Sequence, residues 1–282
     1  MADILTGSGT IPRMPGSDTV VITIVHRERK IGDSLCAVPA ILQRARLSGR
    51  AVTLRGAFCP AVMPLLRDHP VRLDHAPAGG SADGYRLDIQ AAYDHASRAN
   101  VHMATALCRS LGLPAPALPA DPGLAADDIG LPPGVVISPF SGSANGWYKV
   151  WPLSRWLDLT QRIAARYPAA PIYVVGGATD DVTPFLTGGI VPLIDFTLPE
   201  VLALSRAARV FVSIDNGLSH LAHFGCVSRH VLLYPALLAP ALVANPRART
   251  IRATPQAITV DSVLAAVEDA WHRPEDDARS AA

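Results

Sequence analysis

The chain has few charged residues and almost no net charge, which limits the partners that it can have. Only 17% of its 282 residues are charged, 49% are hydrophobic, and the formal net charge is +1. Because the net charge is so small, no overall electrostatic field favours binding to nucleic acid. Because hydrophobic residues far outnumber charged ones, we expect much of the chain to be buried. The length suits one large or two ordinary α/β domains.

Cysteine pairs and long apolar runs are missing as well. The four cysteines lie far apart and form no CxxC pair, which predicts buried thiols in a reducing cytosol: Cys36, Cys59, Cys108 and Cys226. The most apolar run, residues 231–244, is too short to span a bilayer and contains Pro235 and Pro240. No signal peptide is recognisable, so we predict a cytoplasmic protein that could also be peripheral at the inner membrane.

Several common catalytic motifs are also absent. The chain has no Walker loop, no HExxH and no GxSxG. His220 and His223 are three residues apart on one predicted helix, but no third ligand accompanies them. We therefore predict no metal site and no cofactor.

Apolar runs alternate with helical patterns along both halves of the chain. In the first half we predict strands at 20–25, 51–55, 71–73 and 85–89, and helices at 34–47, 59–68 and 91–113. A proline-rich stretch at 113–134 is the predicted linker. The second half predicts strands at 135–139, 171–175, 190–194, from 210 and at 231–234, and helices at 152–167, 180–186, 199–208, from 218 and at 261–272.

This alternation predicts two βα domains with parallel sheets. We place a mobile arm at 1–18, a first domain at 19–126, a second at 127–272 and a frayed tail at 273–282. Ligands of such folds bind at the carboxyl ends of the strands, which here means the cleft between the domains.

The segment after the strand at 210 carries the clearest candidate site. Short polar residues and Gly217 separate this strand from a helix, so the first helical N–H groups can bind an anion. Asp215 would be repelled by a phosphate and is better suited to accept hydrogen bonds from hydroxyls. Together these features suit a nucleotide sugar. The alternative is an Asp215 or Asn216 helix N-cap followed by a glycine turn.

Three other loops follow predicted strands. Asp33 is either a helix N-cap or a general base. The basic residues before it form either a solvated loop or a patch for an anionic acceptor: Arg27, Arg29 and Lys30.

The second loop contains Ser141 and Ser143, which can offer N–H and O–H donors, and Lys149 near a helix start. The positive charge of that lysine opposes the helix dipole. Lys149 therefore either contacts a phosphate or only extends into solvent. In the third loop Gly177 allows a tight turn, and Asp180 either binds ribose hydroxyls or caps its own helix.

These loops, in this order, resemble the ADP-heptose:lipopolysaccharide heptosyltransferases of glycosyltransferase family 9. The matching segments are IGD at 31–33 with PA at 39–40, SP at 138–139, KVWP at 149–152, VGG at 175–177 and DNGLSHLA at 215–222. The last is the most specific, because the family carries Asp-Ser/Thr-Gly-Leu-x-His-Leu-Ala. The segments span residues 20–240, and the second domain matches better than the first.

The resemblance implies a GT-B fold and inverting sugar transfer without a metal, with the donor held mainly by the second domain. It implies that Asp33 is the base, that Lys149 contacts the donor phosphates and that Asp180 lies near the ribose. Asp215 would bind the donor sugar. Gly217 and Leu218 would offer backbone donors to the diphosphate, and His220 matches the motif histidine.

We therefore expect an enzyme that moves a heptose or related sugar from ADP-heptose to a hydroxyl of a glycan, a lipid-linked glycan or a protein. Asn216 departs from the family's Ser or Thr, although an amide can still donate to phosphate. The first domain is shorter than in typical members. Two alternatives stay open: a nucleotide-sugar-binding module without transfer activity, and a nucleotide-sugar hydrolase or epimerase.

Overall fold

The computed structural model describes residues 19–75, 84–117, 121–142, 146–225 and 228–273. The predicted arm at 1–18 and nearly all of the predicted tail lie outside these residues, as do Cys226 and Ser143. Among the described residues, no helix is both long and apolar enough to cross a bilayer.

The first domain is built on a four-stranded parallel sheet in the order β3-β2-β1-β4. Its strands are β1 (Thr19–Val25), β2 (Ala51–Gly56), β3 (Val71–Asp74) and β4 (Tyr85–Asp88). Val20 of β1 lies opposite Val52, and Ile24 lies opposite Leu87. Along β1 buried residues alternate with half-buried ones, so one face of this strand is less covered than its apolar sequence suggests.

Three helices belong to this domain: α1 (Ile31–Ser48), α2 (Ile89–Ala99) and α3 (Met103–Ser110). The prediction of one long helix at 91–113 is wrong. Asn100 takes a left-handed conformation with φ 49° and ends α2, and the side chain of His102 accepts from the Ala104 N–H to begin α3. Asparagine tolerates that conformation better than most residues, which explains the break.

The second domain is a six-stranded parallel sheet in the order β10-β9-β8-β5-β6-β7. Its strands are β5 (Val135–Ser138), β6 (Ile172–Gly176), β7 (Ile190–Ile194), β8 (Val210–Ile214), β9 (His230–Pro235) and β10 (Arg249–Ala253). Every residue of β5 and β8 is buried, as expected for central strands covered on both faces. Its helices are α4 (Leu153–Arg166), α5 (Leu198–Ala207), α6 (Gly217–Gly225) and α7 (Val260–Trp271).

Three further elements differ from the prediction. Residues 59–68 and 180–186 were predicted as α-helices but contain only the short 3-10 helices Pro60–Leu66 and Thr183–Phe185. Pro64 and Pro184 lie in them and lack the N–H that a longer helix needs. Strand β10 was not predicted, because its charged Arg249 and Arg252 hide the apolar pattern at this sheet edge.

The segment between the sheets contacts both domains. The Ala125 N–H donates to the carbonyl of Leu65 in the first domain, and the Asp127 N–H donates to that of Pro199 in the second. Asp121 also pairs with Arg206 of α5. The boundary between residues 126 and 127 stays a prediction, but the chain clearly passes from one domain to the other in this segment.

In each sheet the strand order reverses at one point: the chain first adds strands on one side of its first strand and later on the other side. This point lies between β1 and β4 in the first sheet and between β5 and β8 in the second. A crevice opens beyond the carboxyl ends of the strands at such a point, and ligands of open α/β sheets bind there. The loops singled out from the sequence follow β1, β5, β6 and β8, so three of the four adjoin these crevices.

Candidate functional site

The starts of α1 and α6 meet directly between the two domains. A Cβ placed on Gly32 would lie 2.9 Å from Cδ2 of His220, and one on Gly217 would lie 3.2 Å from Cβ of Ile31. Neither position has room for a side chain without movement. The two glycines therefore allow two helix N-termini, each carrying partial positive charge, to approach one another at the site.

Lys149 and Asp215 form a buried ion pair beside these helix starts. Nζ of Lys149 donates to Oδ2 of Asp215 at 2.6 Å, and the side chains are only 16% and 8% exposed. Burial lowers the pKa of Lys149, but the charge and hydrogen bond of Asp215 outweigh this and hold the pKa above its usual value. Lys149 is therefore a cation with further N–H donors available for a phosphate.

Asn216 forms the cap of α6 that the sequence allowed as an alternative. Its Oδ1 accepts from the Ser219 N–H at 2.9 Å, and its amide group donates to Oγ of Ser138 and to the carbonyl of Phe140, both at 2.9 Å. The amide thus holds the loop after β5 rather than pointing outward. A hydrogen bond from the Asn216 amide to phosphate stays a prediction. Such a bond would require the amide to leave Ser138 and Phe140.

The backbone amides of Gly217 and Leu218 remain as the donors of this helix start. The first amides of a helix have no partner within the helix, and Ser219 uses its own for Asn216. Within the part of the chain that the structure describes, no acceptor is recorded for the other two. The positions inferred from the resemblance are therefore geometrically suited to an anion.

Asp33 lies in the first turn of α1 and is not its N-cap. Lys30 occupies the cap position without a side-chain hydrogen bond, so the prediction of Asp33 as a cap is wrong. The Asp33 side chain is 31% exposed, and its Oδ2 lies 3.5 Å from Nε2 of His26. A carboxylate near the cleft with partial solvent access can accept a proton from a bound hydroxyl.

His220 connects the two domains. Its Nδ1 lies 3.3 Å from Sγ of Cys36 on α1. Burial, aided by the charges of Asp33 and Asp215, raises the pKa of the Cys36 thiol, so the thiol donates and the imidazole accepts. Burial also lowers the pKa of His220, although the same two carboxylates oppose this. His220 is thus neutral, and its contacts in this structure are with α1.

The other predicted donor residues lie in the loops after β5 and β6. Oδ2 of Asp180 accepts from the Gly177 N–H at 2.8 Å, which closes the turn after β6. The predicted cap of a helix by Asp180 is wrong: Asp181 accepts from the Thr183 N–H at the 3-10 helix instead. Ser141 is half-buried, and Ser143 lies outside the described residues.

The basic loop after β1 is solvent-exposed, in line with the simpler of its two interpretations. Arg27, Arg29 and Lys30 are all exposed, and Lys30 pairs with Glu28 at 3.0 Å. Their predicted contact with an anionic acceptor stays a prediction.

Two tyrosines at the cleft were missed in the sequence. Tyr93 follows β4 on α2, and Tyr148 lies in the loop after β5. Burial raises the pKa of Tyr93, with smaller effects from Tyr148, Lys149 and the two aspartates of the site. The ring of Tyr148 lies under Nζ of Lys149 at 5.7 Å. The position of Tyr93 just after a strand at the reversal point was the signal that could have revealed it.

A small cavity lies behind the site, between α1 and α3 of one domain and α6 of the other. It is lined by Cys36, His102, His220 and His223, among others. The rings of His102 and His223 stack with centroids 5.8 Å apart. Among the described residues, no group of three or more potential ligands is arranged to hold a metal ion.

Two buried histidines and the partly buried His102 should make the protein sensitive to acid. Burial, together with neighbouring imidazoles, lowers the pKa of His102 to about 4 and those of His223 and His230 to about 3, against an ordinary 6.5. Below pH 6.5 the unfolded chain therefore binds more protons than the folded one. The free energy of unfolding should fall by about 2 kcal/mol per imidazole by pH 5.

Denaturant unfolding between pH 7.5 and 5 measures this loss. His223→Met removes one titrating ring and should reduce the slope of unfolding free energy against pH by about one proton. His95→Gln, at an exposed position of α2, is the matched control and should leave the slope unchanged. An unchanged slope in His223→Met would show that His223 is already solvated in the folded state.

Comparison with known proteins gives matches in structure only. No family model matches the chain, and no curated protein matches it. Escherichia coli heptosyltransferase WaaC with ADP superposes with a TM-score of 0.64 at 16% identity, covering 89% of this chain and 99% of that one. A family 9 glycosyltransferase from Veillonella parvula gives 0.62 at 12% identity, covering 90% and 97%.

The dodecameric, iron-containing glycosyltransferase TibC of enterotoxigenic E. coli is also similar, with a TM-score of 0.57 at 17% identity. The match covers 82% of this chain but only 61% of TibC, so the chain spans about three fifths of that protein. The chain therefore has the GT-B fold of these glycosyltransferases, with two parallel α/β domains, as the resemblance implied.

Proposed function

We propose that the protein is an inverting glycosyltransferase that moves a heptose or related sugar from ADP-heptose to a hydroxyl acceptor. The observation that carries this proposal is the meeting of Lys149, Asp215 and Asp33 at two opposed helix starts. The Lys149–Asp215 pair lies on one side of the cleft, and the Asp33 carboxylate lies on the other. That arrangement suits a reaction in which a diphosphate leaves while a hydroxyl loses its proton.

The second domain would hold the donor. Lys149 and the amides of Gly217 and Leu218 would face the diphosphate, where negative charge builds as the bond to the sugar breaks. The second oxygen of Asp215 would accept from a sugar hydroxyl. Solved structures with the same fold include WaaC with ADP and WaaC with ADP-2-deoxy-2-fluoro heptose, which supports an ADP-linked donor.

The first domain would supply the base. Asp33 would take the proton of the acceptor hydroxyl as its oxygen attacks the anomeric carbon from the side opposite the diphosphate. Positive charge develops on the sugar ring in such reactions. Because fixed cationic groups already face the leaving diphosphate, we propose that no divalent metal is needed. The acceptor is a glycan, a lipid-linked glycan or a protein, and a lipid-linked one would require transient contact with the inner membrane.

Calorimetric titration with ADP-heptose, ADP and UDP in the presence of EDTA tests the donor site. We expect ADP and ADP-heptose to bind with one site per chain and UDP to bind at least about 10-fold more weakly, a difference of 1.4 kcal/mol. If none of the three binds, the proposed donor site is wrong. Binding that needs added Mg²⁺ would refute the proposed metal independence.

The fate of the sugar separates transfer from hydrolysis. Mass spectrometry of a reaction with a truncated lipopolysaccharide core should show heptose added to the acceptor and ADP released in equal amount. Release of heptose without an acceptor at the same rate would instead identify a hydrolase.

A further inference from the structure

Helix α2 begins at the same edge of the first sheet as the loop that leads to Asp33. Val25, the last residue of β1, lies opposite Asp88, the last residue of β4. The chain therefore leaves both strands at one level, and α2 begins directly with Ile89. Because ligands of open parallel sheets bind beyond the carboxyl ends of the strands, the first turns of α2 border the cleft.

Tyr93 lies in the second turn of α2 and is only partly covered. Ile89 and Ala96, at the neighbouring turns of the helix, are buried in the core, whereas Tyr93 is 38% exposed. Helix α2 also contacts the 3-10 helix Pro240–Leu242 of the second domain. Tyr93 is therefore an accessible tyrosine on a helix of the first domain that adjoins the second.

Charged groups on both sides of the cleft act on the Tyr93 hydroxyl. Burial has the largest effect and raises the pKa of Tyr93; the neighbouring Tyr148 raises it too, and Lys149 opposes this. Asp215 of the second domain and Asp33 of the first raise the pKa further, so the hydroxyl lies within electrostatic range of both carboxylates. Near pH 7 the phenol is therefore neutral and keeps its O–H group.

The hydroxyl of Tyr93 is available to a ligand. Among the residues that the structure describes, it has no hydrogen-bond partner. A tyrosine hydroxyl can both donate and accept a hydrogen bond, and it finds a partner in most sites where the ring is covered. A bound molecule with hydroxyl groups would supply that partner.

The transferred sugar has to occupy the space that Tyr93 borders. In the proposed reaction the leaving diphosphate faces Lys149, and Asp33 takes the proton of the attacking hydroxyl. The anomeric carbon then lies between the leaving group and the attacking oxygen, because the two act on opposite faces of the sugar ring. The sugar therefore lies between the two domains, within reach of the side chain that feels the charges of both.

We propose that Tyr93 is a specificity-determining residue whose hydroxyl binds the transferred sugar of the donor. This inference rests on the proposed function, in which Asp215 binds the same sugar from the second domain. Tyr93 would hold the sugar from the first domain, so that it is fixed from both sides of the cleft. ADP lacks this sugar and cannot make the contact, although it keeps every contact to the diphosphate.

Calorimetric titration of Tyr93→Phe with ADP and with ADP-heptose tests the proposal. The substitution removes the hydroxyl and keeps the aromatic ring, so the fold should be retained. We expect the Kd of ADP-heptose to rise about 3- to 10-fold, as for the loss of one hydrogen bond between neutral groups. The Kd of ADP should stay within about twofold. A merely structural role would weaken both ligands alike.

His95→Gln is the matched control, because His95 is exposed on the same helix. Both Kd values of this variant should equal those of the unmodified protein. An unchanged Kd of ADP-heptose in Tyr93→Phe would overturn the proposal and leave the proposed function standing, and so would an equal weakening of both ligands. If the unmodified protein binds neither ligand, the proposed function fails and this inference fails with it.

A nuclear magnetic resonance experiment observes the contact without any transfer. In protein labelled with ¹³C at the tyrosine Cζ atoms, the signal of Tyr93 is the one that is lost in Tyr93→Phe. This signal should move when ADP-heptose binds and stay in place when ADP binds, whereas that of Tyr148, next to Lys149, should respond to both. A Tyr93 signal that responds equally to the two ligands would show that its hydroxyl does not bind the transferred sugar.

Discussion

Asp33→Asn is expected to abolish transfer while leaving donor binding intact. The amide has nearly the shape of the carboxylate but cannot take a proton from the acceptor hydroxyl. General bases contribute about 10²–10⁴-fold to rate, and kcat should fall by that amount. The donor-binding groups, Lys149 and the amides of α6, belong to the other domain, so the calorimetric Kd of ADP should change by less than about twofold.

Stability should change little in this variant. Asp33 lies in the first turn of α1, where a negative charge stabilises the helix by about 0.3–1 kcal/mol. Asp68→Asn, at an exposed position of the same domain, is the control and should retain full activity. Transfer by Asp33→Asn at nearly the original rate would mean that Asp33 only favours the start of α1 and that another group is the base.

Lys149→Met should weaken the stabilisation of the leaving diphosphate. Removing one donor that faces developing negative charge typically costs about 10²–10³-fold in rate. We expect kcat/KM for the donor to fall by this factor and the Kd of ADP to rise. Lys149→Arg keeps the charge and should retain a larger part of kcat/KM and of the affinity for ADP.

The same substitution leaves Asp215 as a buried charge without its partner. An unpaired buried charge lowers the free energy of unfolding by several kcal/mol when water is excluded from the site. The thermal unfolding of Lys149→Met must therefore be measured together with its activity. The double variant Lys149→Met/Asp215→Asn removes both charges and should recover stability but not activity. Recovery of activity in the double variant would show that Lys149 serves only to neutralise Asp215.

Predictions for the two sheets succeeded where the local pattern and the tertiary environment agree. Continuous apolar runs such as those of β5 and β8 indicate central parallel strands, and both are buried throughout. The predictions failed where a single backbone conformation decides the outcome. Asn100 ends α2 with a positive φ, and the apolar pattern on either side of it cannot show that break.

The candidate site shows the same division. The DNGLSHLA segment and IGD contain the residues that carry the proposed chemistry, and each follows a strand as predicted. The meeting of Gly32 with His220, however, joins residues 188 positions apart, and no local pattern reports such a distance. Asn216 likewise looked like a phosphate donor, but its amide is held by Ser138 and Phe140.

By itself, the sequence determined the order of most strands and helices, the two-domain α/β class and the loops that can carry charge. Local patterns encode these, since the helix and strand periods and the loops between them depend on near neighbours. Only the tertiary structure decided which side chains act together: Lys149 with Asp215, His26 with Asp33, and Tyr93 with the cleft. Pairing across domains depends on how two sheets and their helices pack, and burial then sets whether each group is charged.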